Sequence, residues 1–158
     1  GMITGPENVF TAKERLLGYY EALKAAGIPR DESLISYNDY TIKGGMAGLR
    51  KLVELNKDMT AVFVSNYELT MGVVIEANEL NLSIPDRISI VGFDNVEFAR
   101  ACVPKLCIVS QPVKEIAEKL NISTKTVENH FVLYRRDNCG GAHCSHHSRK
   151  PLRAAICH

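Results

Sequence analysis

Read from its residues, this 158-residue chain is an α/β protein, a parallel sheet with helices on both faces followed by a helical or disordered tail. Three observations lead there. Short β-branched apolar runs, such as TAVFVS at 60–65 and ISIVGF at 88–93, alternate with longer amphipathic stretches, the order that βαβ units produce. The runs are nearly continuous in apolar character, as strands covered on both sides are. The composition, 46% hydrophobic and 23% charged, is that of a globular chain long enough to bury a core.

Each element follows from local chemistry. Residues 2–5 are the end of a first strand. Thr11 and Glu14 have capping-box spacing, which opens a helix through about residue 26 with Leu16, Leu17, Tyr20 and Leu23 on its inward stripe. Gly27 stands where a helix stops and Pro29 prevents its restart. A second strand is expected at 33–37, then a helix at 42–56 with Met46, Leu49, Leu52 and Val53 on one face. Strand three is 60–65, helix three 68–80, strand four 88–93, and a shorter fifth strand covers 107–110.

Charge and cysteine usage narrow the classes. The formal net charge is +1, so no global field argues for nucleic acid, membrane or acidic substrate. No run reaches the ~18 apolar residues of a spanning helix, and no signal peptide is recognisable, so the chain is expected in the cytoplasm. Five cysteines, an odd number, read as thiols and not as a disulfide framework. The chain is not uniform, however. All five histidines lie beyond residue 129, and residues 131–158 carry five basic residues against one acidic. That step predicts three regions: a body at 1–112, a helical segment at 113–136, and a Cys/His/Arg-rich, disordered tail at 137–158.

Ligands of open parallel sheets sit beyond the carboxyl ends of the strands. There the chain places Asn38, Asp39 and Tyr40 after strand two, Asn66 and Tyr67 after strand three, Asp94 after strand four and Gln111 after strand five. Planar amides and carboxylates hydrogen-bond hydroxyls, and an aromatic face covers the C–H side of a sugar ring. No nucleophile–base pair, metal-spaced cluster or phosphate loop accompanies them. The chemistry points to binding a neutral polyol and to no enzyme, cofactor or metal. Each residue also has a plainer use: Asn66 as a helix cap, Asp94 in an Asx-turn, Tyr40 as a half-buried ring, Arg15 as a solvated helix charge, Gln111 as a partner for backbone.

The segments ITGPENVFTAKERLLGYYEALKAAGIP, NDYTIKGGMAGLRKL, TAVFVSNYELTMGVVIEANELNLSIPDRISIVGFDN and VPKLCIVSQPVKEIAE resemble the regulatory domain of LacI/GalR transcription factors over about residues 2–118. The resemblance implies one subdomain of a periplasmic-binding-protein-like fold, closing with a second subdomain over a sugar or related effector. It implies effector contacts from Arg15 in R-x-x-G, Tyr40 as an aromatic wall, Asn66 where the family usually reads A-N-D, Asp94 in V-G-F-D, and Gln111 at the crossover. Tyr67 stands in place of the usual Asp, which puts the family's effector in doubt here. A homodimer is implied, with operator DNA bound by a separate headpiece. Headpiece, hinge helix and amino-terminal subdomain are expected before Met2, and a closing helix and strand after Gln111. A sugar-carrying periplasmic transport protein of the same fold is the competing reading.

Residues 114–130, KEIAEKLNISTKTVENH, are similar to the helix-turn-helix of LuxR-type regulators. Ala117, Leu120, Ile122 and Val127 would face inward and Thr124, Lys125, Thr126, Asn129 and His130 outward, with Lys125 suited to a phosphate and Asn129 to an adenine edge. An amphipathic pair packed on the body is the alternative. In the tail, Cys139, His143, Cys144, His146 and His147 fit no ordinary zinc spacing. The composition there is that of an out-of-frame reading.

Overall fold

The structure, a computed structural model, describes residues 1–94 and 96–127. In chain order they form β1 (Met2–Thr4), α1 (Phe10–Ala25), a 3₁₀ turn (Glu32–Leu34), β2 (Ile35–Tyr37), α2 (Ile42–Leu55), β3 (Ala61–Val64), α3 (Tyr67–Glu79), β4 (Ser89–Phe93), α4 (Val96–Ala101), β5 (Cys107–Val109) and α5 (Val113–Leu120). Five strands pair in the order β2-β1-β3-β4-β5, every pair parallel. Met2 stands opposite both Ile35 and Phe63, Ala61 opposite Ser89, and Val91 opposite Cys107. The chain divides into two compact units, Gly1–Ser110 and Gln111–His158. The expected tail and its cysteines and histidines lie outside the described residues.

Side-chain parity shows which helix covers which face of the sheet. Phe93 lies beneath the Arg15 guanidinium of α1, whereas a Cβ on its neighbour Gly92 would meet Thr70 of α3. Ile3 faces Gly48 of α2 in the same way. Helices α2 and α3 therefore close one face, burying Val62, Val64 and Ile90 together with their own Leu49, Leu52, Leu69 and Val73. Each of these side chains contributes about 1.5–3 kcal/mol by leaving water. On the α1 face Phe63, Val91 and Phe93 are only half-buried, and Ala61 and Ser89 are exposed. The two-sided burial expected of strand three holds on one side only.

Helix α1 corrects two expectations. Thr11 and Glu14 do not form a capping box; the N-cap is Val9, without a side-chain hydrogen bond. A turn from Pro6 (Val9 N–H to Pro6 O, 3.0 Å) starts the helix early enough to put Thr11 inside its first turn. Nor do Leu16 and Leu17 share a face, because consecutive helical residues point about 100° apart. Leu16, Tyr20 and Leu23 are half-buried, while Leu17 is 51% exposed. The helix ends at Ala25 with Gly27 just beyond it, as its sequence predicts. Residues Ser33 and Leu34 form a 3₁₀ turn instead of opening β2, since the Asp31 carboxylate accepts the Ser33 N–H at 2.9 Å. Helix α4 carries too few residues for a periodic signal, and sequence reading missed it.

Helices α2 and α3 touch backbone to backbone. A Cβ on Gly45 would land on the Leu69 carbonyl oxygen, and one on Gly72 on the Ile42 carbonyl oxygen. Buried Glu76 of α3 reaches Arg50 of α2 at 2.7 Å across the same seam. Gly45→Ala and Gly72→Ala should each destabilise the chain by about 1–3 kcal/mol through overpacking, although Ala favours a helix. Gly18→Ala in α1, where a Cβ meets nothing within 4 Å, should instead stabilise by about 0.5–1 kcal/mol. Urea unfolding of the three variants reads the difference.

Candidate functional site

All five strands run the same way, so the chain leaves each of them on one edge of the sheet. Ladder hydrogen bonds continue into those exits. Asn38 donates its N–H to Thr4 O at 2.9 Å, Ser65 to Ile3 O at 3.0 Å and Asp94 to Val109 O at 2.9 Å. The backbone of Asn38 and Asp94, and of Ser65 next to Asn66, is therefore held by the sheet itself, the pre-organisation a binding site needs.

Arg15 reaches this edge from α1. Its guanidinium donates to Ser65 O at 2.6 Å and lies 4.0 Å from the centroid of the Phe93 ring. It bridges the ends of β3 and β4, one residue before Asn66 on one side and one before Asp94 on the other. A cation over an aromatic face contributes about 0.5–2 kcal/mol depending on desolvation. The solvated-charge reading of Arg15 is excluded by these two contacts.

Asn66 is 6% exposed and caps α3. Its Oδ1 accepts from Glu68 N–H at 2.9 Å and Leu69 N–H at 3.2 Å. Two N–H donors fix which end of the amide is oxygen, and they leave Nδ2 as the group that can address a ligand. The helix-cap use is thus real, and it occupies only half of the side chain. Beneath it Ser65 Oγ donates to Thr4 Oγ1 at 3.2 Å in the interior.

Asp94 takes a left-handed backbone, φ 61°, at the end of β4, a conformation that Asp tolerates better than most residues. It is half-buried beside the Arg15–Phe93 contact. Tyr40 is 5% exposed, its ring laid over Gly5 at the end of β1, where any Cβ would overlap the ring. Gly5 is what allows the aromatic side chain to cross the strand end. Gln111 belongs to the second unit, as do the exposed Thr124, Lys125 and Thr126. Asn129 and His130 lie outside the described residues.

Sequence reading missed a neighbouring hollow. About 190 Å³ in volume, it is lined by Glu7, Ala12, Lys13, Leu16 and Tyr37, on the β2 side of α1. None of the five expected ligand contacts lines it. Burial pushes the Tyr37 phenol above its ordinary pKa, and Tyr20, Glu7 and Glu32 add to the shift. Tyr20 donates to Glu32 Oε2 at 2.9 Å, and Arg30 lies 3.5 Å over the Tyr20 ring. Tyr37 ends a strand and so marks the same edge, but a lone aromatic there carries no motif. Among the described residues no cluster of His, Cys, Asp and Glu could hold a metal ion, and no helix is long and apolar enough to cross a membrane.

The cap and the free amide nitrogen of Asn66 are separable. Asn66→Ala should cost about 1 kcal/mol of stability, whereas Asn66→Asp, an equally good cap, should stay within a few tenths. Thermal unfolding of the two variants checks this.

Comparison with known proteins agrees with the geometry. Residues 1–120 match the family described as periplasmic binding protein-like domain. The HTH-type transcriptional repressor CytR of Escherichia coli K12 is 34% identical over 119 residues, covering 75% of this chain and 35% of that protein. The HTH-type transcriptional regulator CelR of Thermobifida fusca is 32% identical over 118 residues, with 75% and 35% covered. Among solved structures, a CelR–cellobiose complex matches with TM-score 0.67 and 34% identity over 71% of this chain and 34% of that one. A sugar-binding LacI-family regulator from Escherichia coli, complexed with phosphate, matches with TM-score 0.68 and 33% identity, covering 73% and 41%. The chain spans about a third of the length of the curated relatives it matches. It belongs to the periplasmic binding protein-like domain family, as a LacI/GalR-type effector-binding domain.

Proposed function

We propose that this domain binds a sugar or similar neutral polyol at the carboxyl edge of its sheet, and that binding controls operator DNA recognition by a headpiece in a homodimeric, cytoplasmic regulator. The observation that carries the site is Arg15 bridging Ser65 O and the Phe93 ring. It draws the Asn66 and Asp94 loops toward one point. A vicinal diol needs acceptors and donors side by side. The Asp94 carboxylate supplies acceptors, and Asn66 Nδ2 and the further guanidinium N–H groups of Arg15 supply donors. Tyr40 stiffens the rim as a buried ring. The CelR–cellobiose complex among the similar structures supports a carbohydrate. Tyr67, edge-on to Phe98 at 6.0 Å, replaces a charged rim with an aromatic one, which favours a less polar flank on the effector.

Regulation requires that the effector bind one arrangement of the regulator better than another, because a ligand shifts an equilibrium only by its differential affinity. Such coupling is typically about 1–3 kcal/mol.

Thermal unfolding of the full chain against a panel of hexoses and disaccharides tests the site. A ligand at ~100 times its Kd should stabilise by about 2.7 kcal/mol. Asn66→Asp, which keeps the cap, and Asp94→Asn should each weaken binding about tenfold, or 1.4 kcal/mol. Saturable binding that neither variant alters would refute the assignment.

A further inference from the structure

Helix α1 has a second side that the effector edge does not use. Arg15 reaches over Phe93 toward the ends of β3 and β4. Leu16, the next residue, points about 100° away around the helix. With Ala12 and Lys13 it borders the hollow of about 190 Å³ on the β2 side, whose lining Glu7 and Tyr37 complete.

Backbone fixes both walls of this hollow. Thr4 of β1 stands opposite Tyr37 of β2, so Tyr37 and Glu7, three residues past Thr4, come from adjacent strand exits. The turn that starts α1 carries Glu7: Val9 N–H donates to Pro6 O at 3.0 Å, and the Ala12 and Lys13 N–H groups both donate to Val9 O at 3.1 Å. Ala12 and Leu16 lie one helical turn apart on the same face and form an apolar floor, the first buried and the second half-buried. The Glu7 carboxylate lies near enough to the Tyr37 phenol to add to the upward shift that burial and Tyr20 produce. Tyr20 is itself held in place, by its hydrogen bond to Glu32 at 2.9 Å and by Arg30 over its ring. Glu7 and Lys13 are exposed, and neither forms an ion pair with the other or with another described residue.

Size and charge select the occupant. A cavity of about 150 Å³ holds benzene, so this one takes roughly eight heavy atoms. A hexose, with roughly twelve, exceeds it. An unpaired carboxylate and an unpaired ammonium above an apolar floor match a molecule that carries both charges and a short branched hydrocarbon. We infer that the hollow binds a small aliphatic α-amino acid of about the size of valine, at a site separate from the effector edge. The ligand ammonium donates to Glu7, its carboxylate accepts from Lys13, and its side chain rests on Ala12 and Leu16 beside the Tyr37 ring.

Isothermal titration calorimetry of the full chain with L-valine, isobutylamine and isovalerate tests this, the two analogues lacking the carboxylate and the ammonium respectively. Valine should bind saturably below about 10 mM. Each analogue should bind about threefold to fivefold more weakly, the worth of an ion pair at an exposed charge. Glu7→Gln should weaken valine by the same factor and abolish its advantage over isovalerate, whereas Lys13→Gln should abolish its advantage over isobutylamine. Thermal unfolding of both variants should be unchanged, since both side chains are exposed. No saturable valine binding up to about 10 mM, an analogue that binds as tightly as valine, or valine binding that neither variant alters would each overturn the assignment. The sugar panel reads the effector edge separately, so either site can fail without the other.

Discussion

Parallel hydrogen bonding along the strand order β2-β1-β3-β4-β5 is the constraint on which the rest of the domain depends. It sets five strand ends on one edge, and it continues past the strands to the backbones of Asn38, Ser65 and Asp94. Because side chains alternate with a period of two, a one-residue slip of β4 would carry Phe93 to the α3 face and remove the platform beneath Arg15. The candidate site is in this sense a property of the sheet's register, more than of any one loop.

The two faces of the sheet are held differently. On one, α2 and α3 meet at Gly45 and Gly72 so closely that no side chain fits between them, with the Arg50–Glu76 ion pair across the seam. Burying a carboxylate costs several kcal/mol unless it is paired, so removing Arg50 would leave a charge in the interior with no compensation. On the other face, α1 covers the sheet partially and is anchored by the hydrogen bond from Arg15 to Ser65. One residue thereby serves as a tether for α1 and as a donor at the candidate site. Asn66 is likewise shared, its oxygen holding α3 and its nitrogen turned to other use. Such double employment lets packing pre-organise polar groups that would otherwise have to be ordered when ligand arrives.

Much of this domain was legible from periodicity and punctuation. TAVFVS and ISIVGF announced β3 and β4, Gly27 with Pro29 marked the end of α1, and the run of exits at Tyr40, Asn66 and Asp94 followed from their places after strands. Four residues then misled or stayed silent for local reasons. Thr11 had capping spacing that the turn at Pro6 pre-empted, and Leu17 was apolar but one helical step off the sheet. Gly45 and Gly72 carried no signal of their own, because their use is the close approach of a second helix. By itself the sequence determined the order and kind of the elements and the chemistry available at one edge, because hydrogen-bonding capacity and hydrophobic period are properties of neighbouring residues. Only the tertiary structure decided that Arg15 lies over Phe93, that Asn66 spends its oxygen on α3, and that Tyr40 lies buried across Gly5, because each depends on contact between residues distant in the chain.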